Sequence, residues 1–195
     1  MPTSSLRSRR VRAVAIGGVV LGLGAMATLA AWTDQEWATS PFSSGHFNLE
    51  GSTDGNDFTD NASLDDAAGL TFSTGADNLA PGQSVASAFD IRLGEGTTTG
   101  ATIATKASGD GDNLTYGIQK LAAGAECTAS ATGTTVVPAG ATLDSAARAT
   151  SFTLAQPAGD EAGEAAHLCI TVTAGSELEQ GKTGTGVWTF TATSN

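Results

Sequence analysis

Apolar and polar side chains alternate with a period of two in three stretches of this 195-residue chain, the spacing of strands that turn one face to a core. Residues 84–93 place Val85, Ser87, Phe89, Ile91 and Leu93 on one face and Ala86, Ala88, Asp90 and Arg92 on the other, directly after the turn signal Pro81-Gly82. Residues 166–173 turn Leu168, Ile170 and Val172 inward and His167, Cys169, Thr171 and Thr173 outward. Residues 186–193 alternate Trp188 and Phe190 with Val187, Thr189 and Thr191. Shorter patterns predict strands at 42–49, 70–73, 101–106, 114–121, 134–137 and 151–155, and short helical turns at 65–69 and 143–149, the second capped by Asp144 or Ser145. No longer stretch keeps a helical period, turn residues separate the strands, and residues 94–100 and 159–164 read as exposed loops. The expectation is an all-β chain folded as a jelly-roll-like antiparallel β-sandwich, without internal repeats.

The first residues break this pattern. Arg7, Arg9, Arg10 and Arg12 stand without any acid and are followed by an uncharged Val, Ala, Gly and Leu run from Ala13 to Ala31, the n-region and h-region of a signal peptide. Gly17, Gly18, Gly22 and Gly24 dilute the run and weaken its helix, which favours cleavage over permanent anchoring. Small residues at Thr28 and Ala30 place the cut after Ala30, so that Ala31 begins the mature chain. Ser8-Arg9-Arg10 departs from a twin-arginine signal at Val11, Arg12 and Ala13. The chain is therefore read as a signal peptide over 1–30, an extended segment over 31–41 and a sandwich domain over 42–195, meeting a membrane only before cleavage.

Removing the leader takes four of the nine basic residues and none of the twenty acids, leaving a net charge of about −15. Such a surface repels phosphate backbones and anionic lipid, which argues against nucleic-acid binding and a peripheral membrane role and suits solubility outside the cell. The remaining ~165 residues can bury a single core without a metal or a dense disulfide framework. Cys127 and Cys169 form the only intramolecular pair available, and in an exported chain they are expected to be joined. Neither carries a nucleophile signature.

Catalytic chemistry finds no constellation here. HExxH and GxSxG are both absent, and His46 and His167 are read as exposed strand residues, Glu164-x-x-His167 being a chance spacing. Two acidic loops are weak calcium candidates, Asp54, Asp57 and Asp60 in one and Asp110 and Asp112 in the other, although Asp, Gly and Asn also make hairpin turns. No cofactor is expected, and no catalytic residue. Asn61-Ala62-Ser63 and Asn113-Leu114-Thr115 match the glycosylation sequon by pattern alone.

The junction from Ala27 to Ser52 resembles the TasA and camelysin family of exported bacterial proteins. Thr28-Leu29-Ala30, Ala31, Trp32 and Thr33-Asp34 match the family's SipW-type cleavage region. Ser44-Gly45-His46-Phe47-Asn48-Leu49 matches its first strand, and Leu79-Ala80-Pro81-Gly82 its turn before an alternating strand. The resemblance implies export, processing by a SipW-type signal peptidase, a jelly-roll domain and assembly into extracellular matrix fibres; metalloprotease activity is ascribed to camelysin-like relatives. Physically, cleavage would free a segment carrying Trp32, Trp37 and Phe42, large apolar groups able to seat as an added strand on the sheet edge of a neighbouring subunit. Such a head-to-tail contact does not close and so builds filaments. The alternatives are that the tryptophans fold back on their own domain, that the chain is an extracellular module binding a carbohydrate or a surface, or, ranked last for want of a catalytic constellation, that it is a secreted protease.

Overall fold

The computed structural model describes residues 35–41, 44–73, 75–143 and 149–195. The predicted signal peptide, its cut at Ala30 and Ala31, and the side chains of Trp32 and Phe42 lie outside the described residues. The chain divides into two units, Met1–Phe42 and Ser43–Asn195. In the first, residues 35–41 carry neither helix nor strand.

The second unit is an antiparallel β-sandwich with eight strands among the described residues: β1 (Leu49–Ser52), β2 (Ser84–Leu93), β3 (Ala101–Asp110), β4 (Leu114–Leu121), β5 (Thr134–Thr142), β6 (Phe152–Leu154), β7 (Ala166–Ala174) and β8 (Thr185–Ser194). Five strands form one sheet in the order β1-β2-β7-β4-β5, and three form the other in the order β6-β3-β8. Only the β1–β2 and β4–β5 connections stay within one sheet; every other connection crosses to the opposite layer, the connectivity expected of a jelly-roll-like sandwich.

The alternation in the sequence decides which faces meet. Val85, Phe89 and Ile91 of β2 join Leu168, Ile170 and Val172 of β7, Tyr116 and Ile118 of β4, and Ala101 and Ile103 of β3 in one apolar core between the sheets. The β2–β7 register sets Val85 opposite Val172 and Phe89 opposite Leu168, so the inward faces of the two strongest patterns align pair by pair. Aromatic rings fill the gap between layers. Phe89 lies 5.6 Å from Phe190, and Trp188 lies 5.9 Å from Phe72 and 6.0 Å from Tyr116, edge-on to the latter. Burial pushes the Tyr116 phenol above its ordinary pKa. Its hydroxyl, the Thr105 hydroxyl and the Trp188 indole N–H are buried without a protein partner.

Several predicted elements shift. The strand expected at 42–49 runs instead from Leu49 to Ser52, because its ladder partner β2 ends at Leu93, directly opposite Leu49. Before it, His46 makes only an isolated bridge to Thr97. Residues 70–73 form no strand: Leu70 and Phe72 pack on the core, and one ladder bond joins the Ser73 N–H to the Ala86 carbonyl. Residues 65–69 form no helix, since the Ser63 hydroxyl and the Asp66 carboxylate close a turn there at 2.7 Å. A single 3₁₀ turn lies at Ala76–Asn78, and residues 144–148 of the second predicted helical turn are outside the described set.

Candidate functional site: an open sheet edge and a covered outer face

Strand β8 pairs with β3 over its whole length, from Ala101 opposite Ser194 to Asp110 opposite Thr185. On its other side no backbone hydrogen bond reaches it from any described residue. Its ten residues, TGVWTFTATS, contain no charge and no proline. The other three sheet edges are guarded. Strand β1 is four residues long, and Gly51 exchanges two 2.9 Å bonds with Thr59 on its outer side. Strand β5 carries Pro138 and register shifts against β4, and β6 is three residues long. A long, neutral, unpaired edge of this kind is a template for a further strand.

The outward face beside this edge is nearly neutral too. Thr102, Ala104, Lys106 and Ser108 of β3 pair with Thr193, Thr191, Thr189 and Val187 of β8, and Thr153 of β6 sits next to Thr102. Of the predicted assembly residues, Trp37 is 88% exposed.

The five-stranded sheet differs: its outer face is covered. Residues 122–133 cross it, and Cys127 is joined to Cys169 of β7 as expected from the sequence. Cys169 faces away from the main core as predicted, yet it is only 1% exposed, packed with Ala86 and Leu121 beneath Cys127 and Ala131. Beside it His167 is held at both ring nitrogens, Nδ1 at 2.6 Å from Asp90 Oδ1 and Nε2 at 2.9 Å from the Ala125 carbonyl oxygen. This corrects the reading of His167 as an exposed strand residue: its side chain is 15% exposed, because the loop after β4 folds back over β7. His46 is exposed. With Nε2 bonded to a main-chain carbonyl, the Asp90–His167 pair has no free nitrogen to serve as a general base. On the same face Arg92 bonds Glu50 at 3.0 Å and lies under the Phe58 ring.

The acidic loops are occupied by their own turns. Asp54 Oδ1 accepts the Ser52 hydroxyl and the N–H groups of Asn56 and Asp57, each at 2.9 Å, and these bonds, the Asn56 N–H first, hold its carboxyl below the ordinary range. Asp110 Oδ1 accepts the Thr185 N–H at 2.9 Å, and Asp112 is exposed in the β3–β4 turn next to Asn113, which adopts a positive φ of 63°. Among the described residues no three His, Cys, Asp or Glu side chains come together to hold a metal ion, so Asp54, Asp57 and Asp60 do not converge with one another, nor with Asp110 and Asp112.

Sequence reasoning missed the Asp90–His167 pair. Both residues are legible as outward-facing, but the register that sets them opposite each other is a property of the β2–β7 ladder. Compared with models of protein families and with curated proteins, the chain matches none.

Proposed function

We propose that this chain is an exported structural protein of the cell surface or extracellular matrix that acts by self-association. In this reading a SipW-type signal peptidase removes residues 1–30, and the freed aromatic segment 31–41 of one copy adds as a strand to the sheet edge of the next. The observation that carries it is the unguarded edge of β8, ten residues without charge or proline in a fold whose other edges are short, kinked or capped. The exposed indole of Trp37 supplies an apolar group for a neighbour to cover. Backbone hydrogen bonds along β8 would give affinity and the aromatic side chains register, and the head-to-tail contact extends into a filament. The role is non-enzymatic, with no cofactor and no nucleic-acid partner.

The test compares the mature secreted chain, with its N-terminus determined by sequencing, with the same chain lacking residues 31–41 and with Thr191→Lys, which places a charge on the β8 edge. Electron microscopy and sedimentation should show concentration-dependent fibres for the first and monomers for the other two. Unchanged fibres in either variant would sink the proposal.

A second reading, an extracellular carbohydrate-binding module, is favoured by the hydroxyl-rich outer face of β3 and β8. Retention of the monomeric truncated chain on an insoluble polysaccharide, lost in Thr102→Ala/Thr193→Ala, would select it.

A further inference from the structure

The two bonds made by His167 set a proton count. A main-chain carbonyl can only accept, so Nε2 carries a hydrogen toward Ala125. The 2.6 Å contact between Nδ1 and Asp90 Oδ1 needs a second hydrogen, whether it sits on the ring or on the carboxyl. The closed arrangement therefore holds two protons, whereas a neutral imidazole facing an ionised carboxylate brings only one. Removing one leaves either two lone pairs facing each other across 2.6 Å or an imidazole nitrogen turned without a hydrogen toward the Ala125 carbonyl.

From this geometry we infer that residues 122–126 form a proton-operated flap on the outer face of the five-stranded sheet, closed when the Asp90–His167 pair holds its second proton and released when that proton leaves. The Cys127–Cys169 disulfide anchors the far end of the flap, so release is local. No other ionisable side chain shares this face of β7, and β4 presents Leu121 opposite His167. On β2, Arg92 is engaged by Glu50 of β1. The flap itself brings Glu126, and the loop after β1, which approaches Asp90 at Gly55, brings Asp54 and Asp57.

Asp90→Asn separates the proton requirement from the contact. The asparagine amide can donate to a neutral Nδ1 while Nε2–H still bonds Ala125, so this variant closes with a single proton on the ring. The test follows backbone amide resonances of residues 122–127 in the full, oxidised chain by NMR from about pH 5 to about pH 9, the interval in which histidine charge changes. In the wild-type chain these resonances should move together, in a one-proton transition, from a protected to a solvent-exchanging form as pH rises; in Asp90→Asn they should stay in the protected form throughout. Flap resonances insensitive to pH in the wild-type chain, or an equal transition in Asp90→Asn, would overturn the inference. Should Asp90→Asn fail to fold, the ring ¹⁵N shifts of His167 in the wild-type chain decide the matter, with exposed His46 as internal reference. Loss of a ring proton coincident with flap release supports the inference, and loss without release overturns it.

Discussion

Replacing Cys127 and Cys169 together by alanine removes a crosslink between positions 42 residues apart. In the unfolded chain that bond closes a loop whose lost conformational freedom corresponds to about 4 kcal/mol on the chain-entropy relation. Local packing adds little, because Cys169 belongs to a small cluster with Ala86, Leu121 and Ala131, and alanine keeps the β-carbon. For a domain of this size each kcal/mol moves the thermal midpoint by roughly 2–4 °C, so the double variant should melt roughly 8–16 °C below the oxidised wild-type chain. The assay is scanning calorimetry of both proteins, with the wild-type chain also scanned after reduction. Reduced wild type and double variant should melt together, while the oxidised chain stands above both. A shift below about 2 °C would refute the reasoning, since it would mean that residues 127–169 are already confined in the unfolded ensemble or that the staple strains the folded state by as much as it restrains the unfolded one.

Leu168 is completely buried between the sheets, so Leu168→Ala should cost about 2–5 kcal/mol, read as a lowered denaturant midpoint at unchanged slope. Tyr116→Phe removes a buried hydroxyl that has no protein partner and should leave stability equal or raise it by about 1 kcal/mol in the same assay; a loss above that would show the hydroxyl to be bonded. Because the folded-state pKa of Tyr116 lies above its ordinary 10.0, the neutral phenol contributes stability that is complete below pH 10.0 and is lost as pH rises through the folded value, an alkaline decline that Tyr116→Phe should remove. For Asp54 the sign is opposite. Its folded-state pKa lies below the ordinary 3.8, so its contribution is present above pH 3.8 and is lost as pH falls through the folded value; Asp54→Ala should flatten that part of the acid unfolding curve.

How much of this was legible from the sequence follows from what each feature depends on. Strands β2 and β4 have the bounds their alternation predicts, and β7 and β8 differ by single residues at their ends, because burial of one face is written into every second side chain. Strand β3 runs to Asp110, beyond the predicted Lys106, since Ser108-Gly109-Asp110 reads as a turn locally and becomes strand only by pairing with Thr185 to Val187 of β8. Strand β5 continues past Pro138 because it lies at a sheet edge, where a missing N–H has no ladder partner to disappoint. The disulfide was legible by elimination between two cysteines. The open edge was not: β8 was visible as a bulky terminal strand, but which side of it stays unpaired is decided by the order β6-β3-β8. The acidic loops, weak calcium candidates that read equally as turns in sequence, are turns in three dimensions, where Asp54 spends its oxygen on the N–H groups of its own turn.

On the proposed reading, the distribution of charge bears on how a chain of net charge −11, about −15 once the proposed leader is removed, would meet a copy of itself along one edge. Coulomb repulsion between exposed groups is screened beyond about 8 Å at physiological ionic strength, so what matters at contact is the charge within that distance of the approaching edges. The acids Asp54, Asp57 and Glu126 belong to loops of the five-stranded sheet and Glu177 and Glu179 to the loop that leads into β8, whereas β8 itself has none and its neighbour β3 contributes only Lys106 and the terminal Asp110. In the proposed assembly, repulsion along β8 itself would be weaker than beside the acidic loops, and contact there would meet a long edge whose backbone groups have no partner on the outer side among the described residues. The same charge slows the encounter. Added salt should raise the rate of self-association while leaving the register unchanged, because register is set by the ladder and the aromatic side chains, which salt does not screen.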